Sequence, residues 1–419
     1  MLIHWIWLAN CRPVSDRMKV ELLQHFRDPE DIYFADADAF DHLEGFSDEA
    51  KAALRDKNLQ AAQKILDQCA RKDIHILTFR DAAYPCRLKN IPDPPLVLYY
   101  KGNLPDFDGT PLIGVVGTRK ASAYGLGVAK RMGYQIAQCG GIVVSGMAFG
   151  IDGVATQGAL TAGGTAVGVL GCGADVVYPP SNRGLFADME KYGCLLTEFP
   201  PETPPNGWNF PKRNRLISGL SCGVLVVEAP EKSGALITAR LAVDQGRDVF
   251  AVPGNIDVPT CVGSNQLLRE GAVAVMSGWD ILSEYEALYP DKLHRENQSA
   301  HQAGYPDEVE RIAAESQKKL PRVAQKPVIP VKKQPPAAEN DKITIDNGDT
   351  TPYSDVNKPK LPLSGTEQTI VDALTREPRL VDDVIAETGL SAGKILSALT
   401  LLEIRGIVKR HPGKRISLK

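Results

Sequence analysis

The sequence predicts an open, doubly wound α/β domain with a mostly parallel sheet, preceded by helices and followed by a second small domain. Between about residues 110 and 285, short apolar runs rich in β-branched residues alternate with helical patterns. The runs are continuously apolar, which is typical of strands that helices cover on both faces. The predicted strands are Leu112–Gly117, Gly141–Gly146, Thr165–Gly171, Cys194–Phe199, Gly223–Glu228, Asp248–Pro253 and Ala272–Met276.

Helical segments such as Ser122–Gln138 and Ile237–Gln245 separate these strands. Because connections of this length join parallel strands, a ligand is expected beyond the carboxyl ends of the strands. We assign residues 81–290 to this domain. The chain of 419 residues is long enough for two to four domains. Its formal net charge of −3 means that any nucleic-acid site must be a local patch.

Residues 1–80 are predicted to form a helical N-terminal domain of the SAM or helix-hairpin-helix kind. Apolar residues recur at helical spacing in Val20–Phe26 and Glu49–Ala70, and Gly45 precedes a serine N-cap at Ser47. Acidic residues surround this turn, which favours a packing or interaction module over a grip on DNA phosphates. The apolar start is too short for a signal peptide, and no run of about 18 apolar residues occurs, so we expect a cytoplasmic protein without a membrane segment.

Residues 291–361 are polar and rich in lysine and proline, which predicts a flexible linker. Residues 362–419 then show three amphipathic helical patterns and a final hairpin around a His-Pro-Gly-Lys turn. This order predicts a winged helix. The helical patterns cover Glu367–Thr375, Val381–Glu387 and Ile395–Arg405.

The ends of the predicted strands carry the residues best suited to bind phosphate. Glycine lets a backbone approach a ligand closely, and the amino end of the following helix attracts an anion. Hydroxyl groups and a forked arginine add hydrogen-bond donors. Three such turns on one sheet edge would make a row of phosphate sites, formed by Gly117, Thr118 and Arg119, by Ser145 and Gly146, and by Ser233, Gly234 and Thr238.

A second candidate segment lies between the fourth and fifth predicted strands. Its residues Phe210, Lys212, Arg213, Asn214 and Arg215 combine three cations, an amide and an aromatic ring, which suits a nucleic-acid backbone with unstacked bases. Arg213 and Arg215 also have a structural alternative. Either arginine could form an ion pair with an acid such as Glu198 or Glu228 that holds the sheet edge together.

Other kinds of site find little support in the sequence. There is no phosphate-binding P-loop motif, and Gly171-Cys172-Gly173 lacks the third glycine of a dinucleotide site, so no cofactor is expected. The eight cysteines include no C-x-x-C pair and are expected to be reduced core residues, and we expect no metal. All seven histidines lie outside the predicted sheet, which argues against histidine-based catalysis there.

Several blocks together resemble one known family, the DNA-processing protein A (DprA/Smf) family. The resembling blocks are Gly117–Arg119, Ser145–Asp152, Phe210–Ser221, Ser233–Ala239, Gly246–Gly254 and Gly263–Asn265 before Gly271-Ala272. The resemblance is strong over residues 80–285. It departs at Thr118, where serine is common, and at Thr156, where the family often has histidine.

The resemblance implies an extended Rossmann-like domain that binds single-stranded DNA without catalysing a reaction. Family members protect incoming DNA during natural transformation of competent cells, load the RecA recombinase for recombination, and form homodimers through this domain. It also implies phosphate contacts by Arg119, Lys212, Asn214 and Arg215, with Phe210 as the stacking or pocket residue.

Two questions stay open at this point. The basic wing residues Lys409, Arg410, Lys414 and Arg415 suit DNA-backbone contact and protein contact about equally. The alternative function is that of a Rossmann-like enzyme that hydrolyses the N-glycosidic bond of nucleotides, although Pro253–Asp257 lacks the second glycine and the glutamate of that signature. A purely structural sheet domain is a third possibility.

Overall fold

The computed structural model describes residues 1–295, 365–375, 377–390, 395, 398, 399, 402, 407–411 and 415–418. The chain divides into two compact units, Met1–Ala324 and Gln325–Lys419, which are described separately. The predicted linker lies outside the described residues except at 291–295. Among the described residues, no helix is long and apolar enough to cross a membrane.

The N-terminal part of the first unit is helical, as the hydrophobic periodicity predicts. Its apolar faces form a core that includes Trp5, Leu22 and Leu54 and that reaches Tyr99 in the sheet. Ser47 caps the fourth helix by accepting a hydrogen bond from the backbone N of Ala50. The helices are α1 (Leu2–Ala9), α2 (Asp16–His25), α3 (Pro29–Phe34), α4 (Asp48–Arg55) and α5 (Gln60–Arg71), with a 3₁₀ turn at Ala37–Phe40.

The sheet of the first unit has nine strands in the order β1-β2-β6-β5-β4-β3-β7-β8-β9. All seven predicted strands are present, and each pairs in parallel with its neighbours among them. Two further strands extend the sheet beyond β6. The strand β2 pairs antiparallel with β6, and β1 pairs antiparallel with β2. The strands are β1 (His75–Thr78), β2 (Val97–Gly102), β3 (Leu112–Val116), β4 (Ile142–Ser145), β5 (Ala166–Val169), β6 (Cys194–Thr197), β7 (Gly223–Val226), β8 (Asp248–Ala251) and β9 (Val273–Ala274).

Helices cover both faces of this sheet, which confirms the doubly wound, Rossmann-like fold. One buried cluster includes Met132 and Phe186, and the cluster on the opposite face includes Leu216 and Ala239. Because β3 to β8 run in one direction, their carboxyl ends meet at one edge of the sheet. The helices are α6 (Cys86–Lys89), α7 (Ala123–Gln138), α8 (Ile151–Thr161), α9 (Arg183–Tyr192), α10 (Asn209–Leu220), α11 (Gly234–Asp244), α12 (Val262–Arg269) and α13 (Gly278–Leu282).

The second unit contains helices and a three-stranded sheet around buried Ile370, Val384 and Ile416. The final hairpin pairs Val408 with Leu418, as the turn signal predicts. The predicted third helix at Ile395–Arg405 lies only partly within the described residues. The described elements are α14 (Gly365–Asp372), α15 (Val381–Thr388), β10 (Arg379–Leu380), β11 (Val408–His411) and β12 (Arg415–Leu418).

Candidate functional site

A small open pocket lies at the carboxyl edge of the large sheet. It brings together the turns that follow three neighbouring strands and the first turn of α10. Three residues predicted for the site line it, namely Arg119, Gly146 and Phe210. The other lining residues are Ala148, Phe149, Leu170, Gly171, Cys172, Tyr178 and Pro179.

Arg119 and Phe210 form the polar and aromatic parts of this pocket. The guanidinium carbon of Arg119 lies 5.4 Å from the centroid of the Phe210 ring, within cation–π range. The Tyr178 ring lies 5.4 Å from the same ring, centroid to centroid. The Arg119 side chain is exposed, and no ion pair joins it to any carboxylate in the described ranges. Its donors are therefore available to an anion.

The pocket wall behind Phe210 requires a glycine. A Cβ atom on Gly171 would lie 2.8 Å from Cδ1 of Phe210, closer than side-chain atoms pack. The absence of that Cβ lets the ring lie against the turn after β5. Asn209 holds the same turn, since its side-chain nitrogen donates to the carbonyl oxygen of Gly171 at 2.9 Å.

The turn between β4 and α8 brings a helix amino end to the pocket. Gly150, the N-cap of the 11-residue α8, has φ of +75°, a conformation that side chains disfavour. The side chain of Asn182 donates to the carbonyl oxygen of Met147 at 3.1 Å and so fixes the turn. The positive end of the α8 dipole therefore lies beside the exposed Arg119.

Arg213 lies beneath the pocket and is only 3% exposed. Its guanidinium donates to the carbonyl oxygens of Gly146, at 2.8 Å, and Val169. Asp152 lies nearby and accepts a hydrogen bond from the backbone N of Gly146 at 3.1 Å. Burial lowers the pKa of Arg213 to about 10 and raises the pKa of Asp152 to about 6. These contacts favour a structural role for Arg213, which holds the turns after β4 and β5 beside Asp152. Its acidic neighbour is therefore Asp152 and not Glu228, which the sequence analysis considered.

Arg215 is also buried, with 4% of its surface exposed, and lies in an ion-pair cluster. Its nitrogens lie 2.7 Å from Glu198, 3.0 Å from Asp93 and 3.3 Å from Asp16. These contacts favour the structural alternative, an ion pair with Glu198, over the predicted phosphate contact.

Lys212 belongs to the same cluster but is half-exposed. Its ammonium group lies 2.9 Å from Glu198 and 3.5 Å from Asp16. The side chain of Asn214 accepts a hydrogen bond from Arg213 and donates to the carbonyl oxygen of Gly234 at 3.4 Å. Neither residue lines the pocket.

The other predicted strand-end residues mostly support the turns. Ser145 is fully buried, and its hydroxyl donates to the carbonyl oxygen of Val115 at 2.6 Å. The Thr118 hydroxyl accepts a hydrogen bond from the backbone N of Lys120 at 3.2 Å. A Cβ on Gly117 would lie 2.5 Å from Ile151. Ser145 and Gly117 therefore shape the edge of the sheet, and the Thr118 hydroxyl supports its turn as a hydrogen-bond acceptor.

The third predicted turn, at the start of α11, lies apart from the pocket lining. Ser233 caps this helix by accepting from the backbone N of Ala235 at 3.3 Å, and Gly234 is exposed. Thr238 is buried, and its hydroxyl donates to the carbonyl oxygen of Gly234 at 3.4 Å.

The amino end of α7 already holds an internal carboxylate. Glu228 is 1% exposed and accepts hydrogen bonds from the backbone N and hydroxyl of Ser122, at 3.2 and 2.9 Å. An external anion would have to displace this carboxylate. The predicted row of phosphate sites stays a prediction, and of its members the pocket lies beside the amino end of α8, whose first turn carries the buried Asp152.

Sequence reasoning missed part of the pocket lining. Phe149, Tyr178 and Gly171 are not among the predicted site residues, yet they form its walls. The Gly171-Cys172-Gly173 pattern was a usable signal, because it marks a close backbone approach just after a strand. In the wing, Lys409 and Arg415 are exposed, and Lys414 lies outside the described residues.

An open, mostly parallel α/β sheet with a pocket beyond the carboxyl ends of its strands defines the class of Rossmann-like proteins, which bind their ligands at that edge. The chain matches the family model described as DNA recombination-mediator protein A over residues 75–286, and the DprA winged helix domain over residues 356–414. It belongs to the DNA recombination-mediator protein A (DprA/Smf) family.

Individual relatives agree with this assignment. The chain is 33% identical to "Protein Smf" of Synechocystis sp. over 98% of its own length and 97% of the relative. It is 43% identical to the DNA processing protein DprA of Bacillus subtilis over 53% of this chain and 74% of that protein. The crystal structure of DNA processing protein A from Streptococcus pneumoniae is similar, with a TM-score of 0.58 and 32% identity, over 68% of this chain and 98% of that chain.

Proposed function

We propose that this protein binds single-stranded DNA, with a backbone phosphate held at the mouth of the pocket by Arg119. The observation that carries the proposal is the exposed guanidinium of Arg119, which forms no ion pair among the described residues and lies against the ring of Phe210. The amino end of α8 adds positive potential at the same place. A phosphate would meet a forked donor without displacing an internal acid.

Single strands are preferred because the pocket walls are aromatic. Phe149 is 46% exposed, and Phe210 and Tyr178 are partly exposed beside it. Such rings stack on bases that a duplex keeps paired, and stacking tolerates any sequence. We therefore propose sequence-tolerant binding that weakens as salt rises, because counterions are released from the DNA.

The residues predicted for this interface take two roles in the proposal. Arg119, Phe210 and the Gly146 turn contact the DNA, while Arg213 and Arg215 hold the turns from below. The half-exposed Lys212 and the exposed Gly234 at the start of α11 are proposed as secondary contacts. The wing residues Lys409 and Arg415 remain candidates for DNA or protein contact.

The cellular role follows from the family. The Bacillus subtilis relative is named a DNA processing protein. We propose that this chain likewise processes DNA in the cytoplasm during natural transformation and recombination, without catalysing a reaction, and helps to load the RecA recombinase. We also propose a homodimer through the Rossmann-like domain, since two linked pockets would bind one long strand more tightly than either alone.

The test is binding of a labelled oligo-dT, single-stranded and as a duplex with oligo-dA, at two salt concentrations. Arg119→Ala should lower single-strand affinity about 10- to 100-fold, the value of a charge-assisted contact. Arg240→Ala is the matched control, since Arg240 is exposed on α11 away from the pocket lining. Equal binding by wild type and Arg119→Ala would contradict the proposal.

The enzyme alternative is tested on the same protein. Incubation with nucleoside monophosphates should release no free base above a protein-free control. Base release that disappears in Asp152→Asn, which alters the carboxylate beneath the pocket, would favour the N-glycosidase alternative.

A further inference from the structure

Three aromatic side chains are exposed along the carboxyl edge of the sheet, and two of them lie on either side of the pocket. Trp208 is 75% exposed, Tyr124 is 56% exposed, and Phe149 lies between them in the pocket wall. Tryptophan is usually well buried and tyrosine at least partly so, because their rings remove a large apolar area from water. Two such exposed rings beside a proposed DNA pocket call for a functional explanation.

The hydrogen bonds around Trp208 place it near the end of β5. Trp208 directly precedes α10, and the next residue, Asn209, donates to the carbonyl oxygen of Gly171 at 2.9 Å. Gly171 follows β5 and lines the pocket. Asn209 is 4% exposed, so the loop that carries Trp208 is anchored to the pocket wall and does not depend on the ring for its position.

Tyr124 lies on the other side, over the end of β8. It belongs to the first turn of α7, and its hydroxyl donates to the carbonyl oxygen of Pro253 at 3.4 Å. Pro253 comes just after β8. Because the sheet order is β5-β4-β3-β7-β8, the two rings flank the turn after β3 that carries Arg119.

We propose that a single DNA strand crosses the ends of β5, β4, β3, β7 and β8 in that line, with bases stacked on Trp208 and Tyr124. This inference rests on the proposed function and adds the path of the strand. Four strand spacings of about 4.8 Å separate β5 from β8, or about 19 Å in all. At the stacked spacing of about 3.4 Å per nucleotide, that distance holds about six nucleotides. An extended strand would need fewer.

The path explains why the rings stay exposed and why the pocket lies between them. Base stacking on an aromatic ring needs a free face, and it adds affinity without reading the sequence. Arg119 then provides the phosphate contact in the middle, and the outer rings hold the strand on both sides.

The first experiment is an oligo-dT length series, from two to twelve nucleotides, measured by fluorescence anisotropy. Wild-type affinity should rise up to about six nucleotides and then level off. Trp208→Ala and Tyr124→Ala should each lower affinity for the six-nucleotide strand about 5- to 150-fold, the range for loss of one stacked base. Binding of the two-nucleotide strand should change less than twofold. Trp208→Phe should keep most of the affinity.

Tyr192→Ala is the matched control. Tyr192 is 54% exposed but ends α9 just before β6 begins, so it lies at the opposite edge of the sheet. The Tyr192→Ala variant should bind oligo-dT of every length with the affinity of wild type. Full affinity of both Trp208→Ala and Tyr124→Ala for the six-nucleotide strand would overturn the path. If Arg119→Ala still binds single strands 10- to 100-fold more weakly in that case, the proposed function survives and only the path is wrong.

Intrinsic fluorescence gives an independent readout. The chain has four tryptophans, and Trp5 and Trp7 are 6% and 7% exposed, while Trp279 is half-buried. A six-nucleotide strand should quench the emission of wild type and shield Trp208 from iodide. Trp208→Phe should bind with little quenching. Unchanged iodide accessibility of wild type on saturation with DNA would contradict a base stacked on Trp208.

Discussion

Replacement of Arg215 distinguishes the two roles considered for the arginines of α10, a contact with DNA phosphate and a structural ion pair. Arg215 is buried and contacts Glu198, Asp93 and Asp16 at 2.7 to 3.3 Å. Arg215→Ala would leave Glu198, itself 6% exposed in its side chain, with Lys212 as its remaining basic partner. Loss of one member of a buried ion pair lowers the free energy of unfolding by about 3 to 5 kcal/mol. Because Lys212 still pairs with Glu198, we expect a loss at the lower end of this range, about 3 kcal/mol.

The measurement is thermal unfolding of the full chain, followed by DNA binding well below the melting temperature. A loss of about 3 kcal/mol should lower the melting temperature by about 6 to 12 °C, as scaled for a domain of 150–250 residues. Affinity for oligo-dT should fall less than threefold. Arg119→Ala, at an exposed position, should show the reverse pattern, with the melting temperature within about 2 °C of wild type. Arg215→Ala that keeps its melting temperature but loses DNA binding would refute this reasoning and restore Arg215 as a phosphate contact.

Three further replacements test the pocket. Gly171→Ala should push the Phe210 ring from the wall, since the new Cβ would lie 2.8 Å from it, and should weaken oligo-dT binding at least fivefold in anisotropy titrations. Ser145→Ala should cost about 1 kcal/mol in urea unfolding without changing DNA affinity, because its hydroxyl bonds the backbone. Burial raises the pKa of Asp152 to about 6, above about 3.9 in an unfolded chain, so folding favours its protonated form. Its contribution to stability is therefore present below about pH 4 and lost as the pH rises to about 6, by about 3 kcal/mol at most. Melting curves from pH 4 to 8 should show wild type losing stability relative to Asp152→Asn over that window, and a constant difference would contradict the buried carboxyl.

Much of the fold was predictable because buried parallel strands leave a simple signature. Strands such as β3 and β7 are buried at every position, so their apolar runs are unbroken. The edge strand β1 and its neighbour β2 are partly exposed and lack that signature, and neither was predicted. The stretch Glu49–Ala70, which has apolar residues at helical spacing, contains two helices, since the backbone leaves the helix after Arg55 and a second helix begins at Gln60.

The sequence predicts the position of the candidate pocket better than the role of each residue. Glycine and hydroxyl residues after strands predict a site at the carboxyl edge of the sheet, where Arg119 and Phe210 meet in the pocket. The burial of Arg215 was not visible, because one of its partners, Asp16, lies 199 residues away in the chain. Arginines two positions apart look equivalent in a sequence, and only tertiary contacts show which carboxylates surround each.

The distribution of internal acids explains why one arginine stands out at this edge. Glu228 holds the amino end of α7, Asp152 lies beside Arg213, and Glu198 pairs with Lys212 and Arg215. Arg119 is exposed and forms no ion pair among the described residues, although the charge of the buried Asp152 acts on it, so it adds an accessible positive charge at the pocket mouth. In a chain of net charge −3, this local imbalance can attract a phosphate without bulk charge. One such contact gives modest affinity, and tight binding of a strand then requires stacked bases along the edge and more than one pocket.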